Sequence, residues 1–345
     1  MNKYVKKQLA WTMTLILLLA LVMSACDDAT ATPDAPVATE EPPKAVEPSP
    51  IPPTVVPTPT LVPTEEPGLP PLPPDRQPLE IITADGRTLE GFYYPAKDNP
   101  APVIVLMHWA PGDMDDWQEI APWLQNRKDE TASTQTWRDI SISLRSNQAI
   151  SGPWLDPSWF YPLPDWTTFG VVIFNFGGYG ASVPGNIPES WAQDALAAVK
   201  KASELEGVDP QQIVAVGASI GADGAVDGCY EFNLDPDRLG TCLGALSLSP
   251  GNYLTDRYTY AEAVKALDDA GYDVWCLYSE ENSHDSETCL SASGVNYMTL
   301  AYPDDLHGMM LVQPEYYPVN PARNVDTLVI ILEFLVEVLG IPIFE

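Results

Sequence analysis

The chain has 345 residues, 45% of them apolar, enough for one α/β domain with a real core. Its formal net charge of −31 excludes a surface built to hold nucleic-acid backbones or anionic headgroups. Its 36 prolines are unevenly spread, which marks part of the chain as linker.

Lys3, Lys6 and Lys7 precede a mostly apolar run, Leu9 to Met23. That run is short for a membrane span, which needs about 20 residues, and right for the core of a signal peptide. It ends in Met23-Ser24-Ala25-Cys26, which resembles a bacterial lipobox. The expectation is that residues 1–25 are a lipoprotein signal peptide and that Cys26 is lipidated. The body of the protein is then extracytoplasmic and anchored to a bacterial membrane through that lipid. Residues 26–78 are rich in Pro, Thr, Val, Ala and Glu, as in Pro52-Pro53-Thr54-Val55-Val56-Pro57. Such a segment cannot bury a core and reads as an extended, disordered tether. At about 3 Å per residue it can span on the order of 150 Å.

The globular domain is expected over residues 79–345. Leu79-Glu80-Ile81-Ile82 and Leu89-Glu90-Gly91-Phe92-Tyr93-Tyr94 flank Asp85-Gly86, a hairpin signal. Continuous apolar runs at 102–107, 171–174 and 213–216 read as buried parallel strands. Ala192, Ala195, Leu196, Val199 and Ala202 repeat at helical spacing, with Gly207 as a candidate C-cap. Further strands are predicted at 243–248, 274–278 and 296–302, and a last helix over 325–339, ended by Gly340. Strands alternating with helices imply a mostly parallel sheet covered on both faces. The segment 127–168 is too long for a plain connection and holds four tryptophans, Trp137, Trp154, Trp159 and Trp166, so it reads as a Trp-rich cap or lid insertion.

With Cys26 lipidated, Cys229, Cys242, Cys276 and Cys289 remain, an even number that suits disulfides in an oxidising compartment. The local pairings Cys229–Cys242 and Cys276–Cys289 are favoured, because each closes a short loop. No C-x-x-C occurs and there are three histidines, so no metal site is expected.

The chemistry centres on Gly217-Ala218-Ser219-Ile220-Gly221, a G-x-S-x-G sequence after one predicted strand and before a small-residue segment fit to begin a helix. A serine on such a sharp turn needs glycines on both sides. The turn lifts its hydroxyl clear of the sheet and turns the next backbone N–H toward a substrate oxygen. A serine hydroxyl also needs a base. His108 precedes the serine, His284 lies where an acid is expected, and His307 follows the last predicted strand. The order nucleophile, acid, base selects His307. For the acid the loop after 274–278 offers Glu280, Glu281, Asn282 and Asp285, with Asp285 preferred, Glu281 next, and Asp256 as an earlier option. The loop beginning His108-Trp109 can give a second oxyanion donor, the Trp109 N–H, beside that of Ile220.

Together these features resemble the α/β-hydrolase superfamily, especially its dienelactone-hydrolase-like and serine esterase branches. The resemblance rests on the His108 loop, the Gly178-Tyr179-Gly180-Ala181-Ser182 turn, the Gly-Ala-Ser-Ile-Gly elbow and His307-Gly308. It implies an eight-stranded, mostly parallel sheet, hydrolysis of a small-molecule ester through an acyl-enzyme on Ser219, and no cofactor. Two departures stand out: the family often has Gly where this chain has Trp109, and Asp where it has Asn282. The alternatives are a non-catalytic ligand-binding lipoprotein on the same scaffold, or a peptidase of the same superfamily. The sequence leaves the oligomeric state open.

Overall fold

The computed structural model describes residues 70–127, 159–182, 188–254, 258–316 and 318–344. The expected signal peptide, Cys26, most of the expected tether, residues 128–158 of the expected insertion, and Asp256 lie outside these residues.

Among the described residues eight strands form one sheet: β1 (Gln77–Ile82), β2 (Thr88–Tyr94), β3 (Ala101–Met107), β4 (Gly170–Phe174), β5 (Val208–Ala218), β6 (Cys242–Leu248), β7 (Asp273–Ser279) and β8 (Tyr297–Tyr302). Their spatial order is β1-β2-β4-β3-β5-β6-β7-β8. The β1–β2 and β2–β4 pairings are antiparallel, so β2 alone runs against the rest; the other pairings in this sheet are parallel. The Asp85-Gly86 turn joins β1 to β2 with Gly86 at φ +83°, a conformation that a glycine adopts without strain. This is the eight-stranded, mostly parallel sheet of the α/β-hydrolase fold.

The central strands are apolar on both sides because both faces of the sheet are covered. Their alternation sorts the core into two layers. Val103, Val105 and Met107 of β3 face one layer, together with α2 (Pro188–Ser203), α3 (Ile220–Leu234) and α4 (Tyr260–Asp269). Ile104 and Leu106 face the other layer, with α1 (Ile120–Gln125) and α6 (Thr327–Leu339). The remaining helix, α5 (Ser283–Ser291), follows β7 and sends Cys289 into the first layer. A two-residue ladder, β9 (Val319–Asn320) with β10 (Val325–Asp326), precedes α6.

Three local expectations change. The helix α2 ends at Ser203, and Gly207, at φ +80°, shapes the turn into β5 instead of capping the helix. The stretch after β7 that read as a loop is helical from Ser283, because Asn282 caps it. Residues 70–78, ahead of the expected start of the domain, also pack on it. Leu72 packs against the core, and Asn99, Gln125 and Arg127 donate to the carbonyls of Pro70, Pro74 and Leu72 at 3.2, 2.8 and 2.9 Å. Arg127 is buried and also donates to Ala96 O at 2.9 Å. Beyond residues 128–158, Trp159, Phe160 and Leu163 pack against the second core layer, and Trp123 Nε1–H donates to Tyr161 O at 2.8 Å. Both favoured disulfides are present: Cys229–Cys242 joins α3 to β6, and Cys276–Cys289 joins β7 to α5.

Candidate active site

Ser219 stands between the end of β5 and the first residue of α3, near the middle of the sheet. Its backbone is at φ 53° and ψ −115°, a strained setting for a residue with a side chain. The surrounding residues enforce it. A Cβ on Gly217 would lie 1.8 Å from Gly221 O, and one on Gly221 would lie 2.3 Å from Met107 O. Neither position tolerates any side chain without moving the backbone. The Ser219 N–H donates to Leu248 O at 2.9 Å, which ties the turn to β6.

His307 reaches the serine from a segment five residues beyond β8. Its Nε2 lies 2.9 Å from Ser219 Oγ, and its Nδ1 lies 2.9 Å from Asp285 Oδ2. Asp285 is fully buried, whereas the His307 side chain is about a quarter exposed. A carboxylate can only accept, so Nδ1 carries the hydrogen and Nε2 is left to accept from the serine hydroxyl. The three residues brought together are therefore Ser219, His307 and Asp285, in that spatial order.

Asp285 sits in the first turn of α5, a helix that begins just after Asn282. Asn282 is the N-cap of α5, and its Oδ1 accepts from the His284 and Asp285 N–H groups at 3.2 and 3.3 Å. Asn282 thus holds the helix that presents the carboxylate, and is not itself beside the imidazole. Glu280 and Glu281 are exposed. His284 is also exposed and faces the Tyr253 ring at 5.3 Å.

The strand register brings the oxyanion candidates to the same place. Met107 of β3 pairs with Gly217 of β5, so two residues further on Trp109 stands beside Ser219. Ile220 is the first residue of α3, so its N–H has no acceptor within the helix and lies at the positive end of the dipole. Trp109 leaves the end of β3, and its carbonyl accepts from His108 Nδ1–H at 2.8 Å and from Gly112 N–H at 3.3 Å. His108 is fully buried, and its Nε2 accepts from Phe176 N–H at 3.1 Å. Both ring nitrogens are thereby engaged, so His108 fastens the loop after β3 to the one after β4.

Two carboxylates that the sequence reading missed shape the surroundings. Asp223, buried in α3, accepts from the N–H groups of Gly251, Asn252 and Tyr253 at 3.2, 3.2 and 2.6 Å, fixing the loop after β6. Burial pushes its pKa up to about 7 against the pull of those three donors, with Asp285 adding to the rise. Asp116 accepts from Trp109 Nε1–H at 2.6 Å, and burial followed by Asp113 pushes its pKa up to about 8.

No family model matches the chain, and no curated protein matches it in sequence. Among solved structures, an esterase of Pyrococcus furiosus is similar at 14% identity and a TM-score of 0.49, over 77% of this chain and 94% of that one. A carboxylesterase cloned from a metagenomic library gives 14% and 0.49, over 78% and 90%. An esterase of Pyrobaculum calidifontis gives 14% and 0.49, over 77% and 86%. At such identities the likeness concerns chain path alone. The strand order, the strained serine between β5 and α3, and the succession Ser219, Asp285, His307 along the sequence give this chain the α/β-hydrolase fold by its own features.

Proposed function

We propose that the protein is a serine hydrolase that cleaves a carboxylic ester through an acyl-enzyme on Ser219. The observation that carries this reading is the hydrogen-bonded chain Ser219–His307–Asp285, with both links at 2.9 Å. His307 takes the Ser219 proton as Oγ attacks the ester carbon. Asp285 holds the imidazole in the productive tautomer and stabilises its positive charge. The Ile220 and Trp109 N–H groups receive the developing oxyanion. Collapse of the tetrahedral intermediate breaks the bond to the alcohol oxygen, which takes the proton from Nε2. Water then enters by the same route in reverse and releases the acid.

A purely ligand-binding role would have been favoured had only the Asn282 amide faced His307. A carboxylate faces it instead, which argues for chemistry. The serine esterase reading is preferred over a peptidase one because the expected surroundings are aromatic and apolar. In the same reading Cys26 carries the lipid and the enzyme works outside the cytoplasm on a small-molecule ester. Incorporation of labelled fatty acid into wild type and not into Cys26→Ser tests that part.

The test of the activity is a fluorophosphonate probe on the full chain. Labelling of wild type and not of Ser219→Ala is the expected result. No labelling of a folded wild-type protein would sink the hydrolase reading.

A further inference from the structure

We propose that Trp109 decides which alcohol the ester can carry, and that Asp116 is the positioning residue that holds it in place. The indole walls the leaving-group side of Ser219 and admits flat alcohols in preference to puckered ones of the same size. The inference rests on the hydrolase reading above and names the substrate class for that site.

The side is fixed by the proton path. His307 Nε2 must deliver its proton to the departing oxygen, so the alcohol leaves on the His307 flank of Ser219. Trp109 stands on that flank. Its ring centroid is 6.5 Å from that of His307, with the two planes inclined by 34°. The ring also lies against Gly308, the next residue: a Cβ there would be 3.0 Å from Trp109 Cε3 and 3.5 Å from Ser219 Cβ. The indole is thus beside the nucleophile, packed closely against Gly308, whose missing Cβ gives it room.

The wall is held still. Trp109 Nε1–H donates to Asp116 Oδ2 at 2.6 Å. The Gly112 backbone lies directly on that bond, since a Cβ at Gly112 would come within 1.7 Å of Asp116 Oδ2 and 2.6 Å of Trp109 Nε1. The main chain is pinned separately, through the two donors to Trp109 O. A side chain fixed at both ends cannot swing aside for a bulky group. The indole is half-buried, so part of it remains open to a ligand. A flat ring can stack on such a plane at van der Waals distance, whereas a puckered ring is thicker and must stand off from it. The same residue offers the oxyanion N–H, so any shift of the indole is felt at the reacting carbonyl.

The experiment compares kcat/KM for phenyl acetate and cyclohexyl acetate, which share the acyl group and differ in alcohol thickness. It uses the full chain as wild type, W109A, W109F, D116L and D116N. The expected result is a cyclohexyl-to-phenyl ratio raised about tenfold or more in W109A and changed little in W109F, which keeps a flat wall. D116L removes the acceptor and moves the ratio in the same direction as W109A. D116N keeps an acceptor oxygen and returns the ratio to that of wild type, which a merely structural role would not require. W109L replaces W109A if the latter does not fold. An unchanged ratio in W109A or W109L, with both esters turned over, overturns the inference and leaves the hydrolase standing. Failure of wild type on both esters together with no fluorophosphonate labelling removes both.

Discussion

Ser219 and Asp285 are mounted alike and secured differently. Each stands at or near the start of a helix that follows a parallel strand, and each helix is tied to a strand by a disulfide, α3 through Cys229–Cys242 and α5 through Cys276–Cys289. The serine is held by hard sterics, since Gly217 and Gly221 have no room for any Cβ. The acid is held by a softer device, one Asn282 cap with bonds of 3.2 and 3.3 Å and the staple behind it. A strained turn demands a fixed sequence, but a capped helix can bring its carboxylate from any of several positions.

The largest effect that separates the two mounts is at the acid itself. Asp285→Asn is expected to lower kcat by about 10⁴-fold with the fold intact, by loss of the histidine tautomer. Adding Asn282→Asp to that variant restores nothing, because the residue 282 side chain is turned to the helix N–H groups. Recovery of activity in the double variant would show that residue 282 can serve as the acid and that the assignment is wrong.

The disulfides sharpen the comparison next. Replacing either pair by serine is expected to cost about 2–5 kcal/mol in denaturant melts. The kinetics then part. Loss of Cys276–Cys289 frees the helix bearing Asp285 and lowers kcat of the folded protein. Loss of Cys229–Cys242 leaves kcat close to wild type, because the glycines still fix the elbow. Equal kcat losses from the two pairs would show that sterics do not secure the serine independently.

A third test concerns carboxyls whose pKa the fold raises: Asp223 and Asp116 near the site, and Asp194, which accepts from Gly177 N–H at 2.7 Å and pairs with Arg87. Asp223 is raised to about 7, Asp116 to about 8, and Asp194 to about 6, in each case chiefly by burial. In the unfolded chain these groups lose their protons near pH 4, while in the folded chain they keep them to higher pH. Unfolding therefore releases protons between about pH 4 and 8, and stability falls as pH rises through that window. Tm is expected to be higher at pH 5 than at pH 8, and to become less pH-dependent in Asp223→Asn. A Tm that rises over the same interval would refute this. The smallest effect is Asn282→Ala, expected to cost about 1 kcal/mol as a lost N-cap in equilibrium unfolding, with kcat reduced more than stability alone explains.

The same contrast explains what could be read from the sequence. The sheet was legible because buried parallel strands are unbroken apolar runs, and all eight strands of the main sheet stand at or within a few residues of the expected places. Ser219 was legible because its backbone allows almost no other local sequence. His307 followed from the scarcity of histidine and the order of elements. For the acid the sequence leaves Asp285, Glu281, Asn282 and Asp256 open, since a cap and a catalytic carboxylate are both short polar residues after a strand. Only spacing along a helix, Asn at the cap and Asp three residues on, tells them apart. Asp116 and Asp223 were not legible at all. Their partners are backbone N–H groups and an indole N–H brought close by the fold, and nothing in a local pattern marks them. The residues just ahead of β1 read as linker because of their prolines, yet the carbonyls of Pro70, Leu72 and Pro74 accept from Asn99, Arg127 and Gln125, contacts that no local pattern marks.

That last arrangement has a mechanical side. Among the described residues β1 is the edge strand of the sheet, paired with β2. A pull along the chain at the start of β1 would open its hydrogen bonds one after another, the weakest way to load a hairpin. Force applied ahead of Pro70 instead meets three side chains from two separate segments, with the buried Arg127 guanidinium gripping the carbonyls of both Leu72 and Ala96. These bonds lie ahead of β1 and share the load, so they must yield before the sheet edge feels tension. A domain loaded from the N-terminal side of Pro70 would then keep its sheet, and Ser219 at its centre, undisturbed.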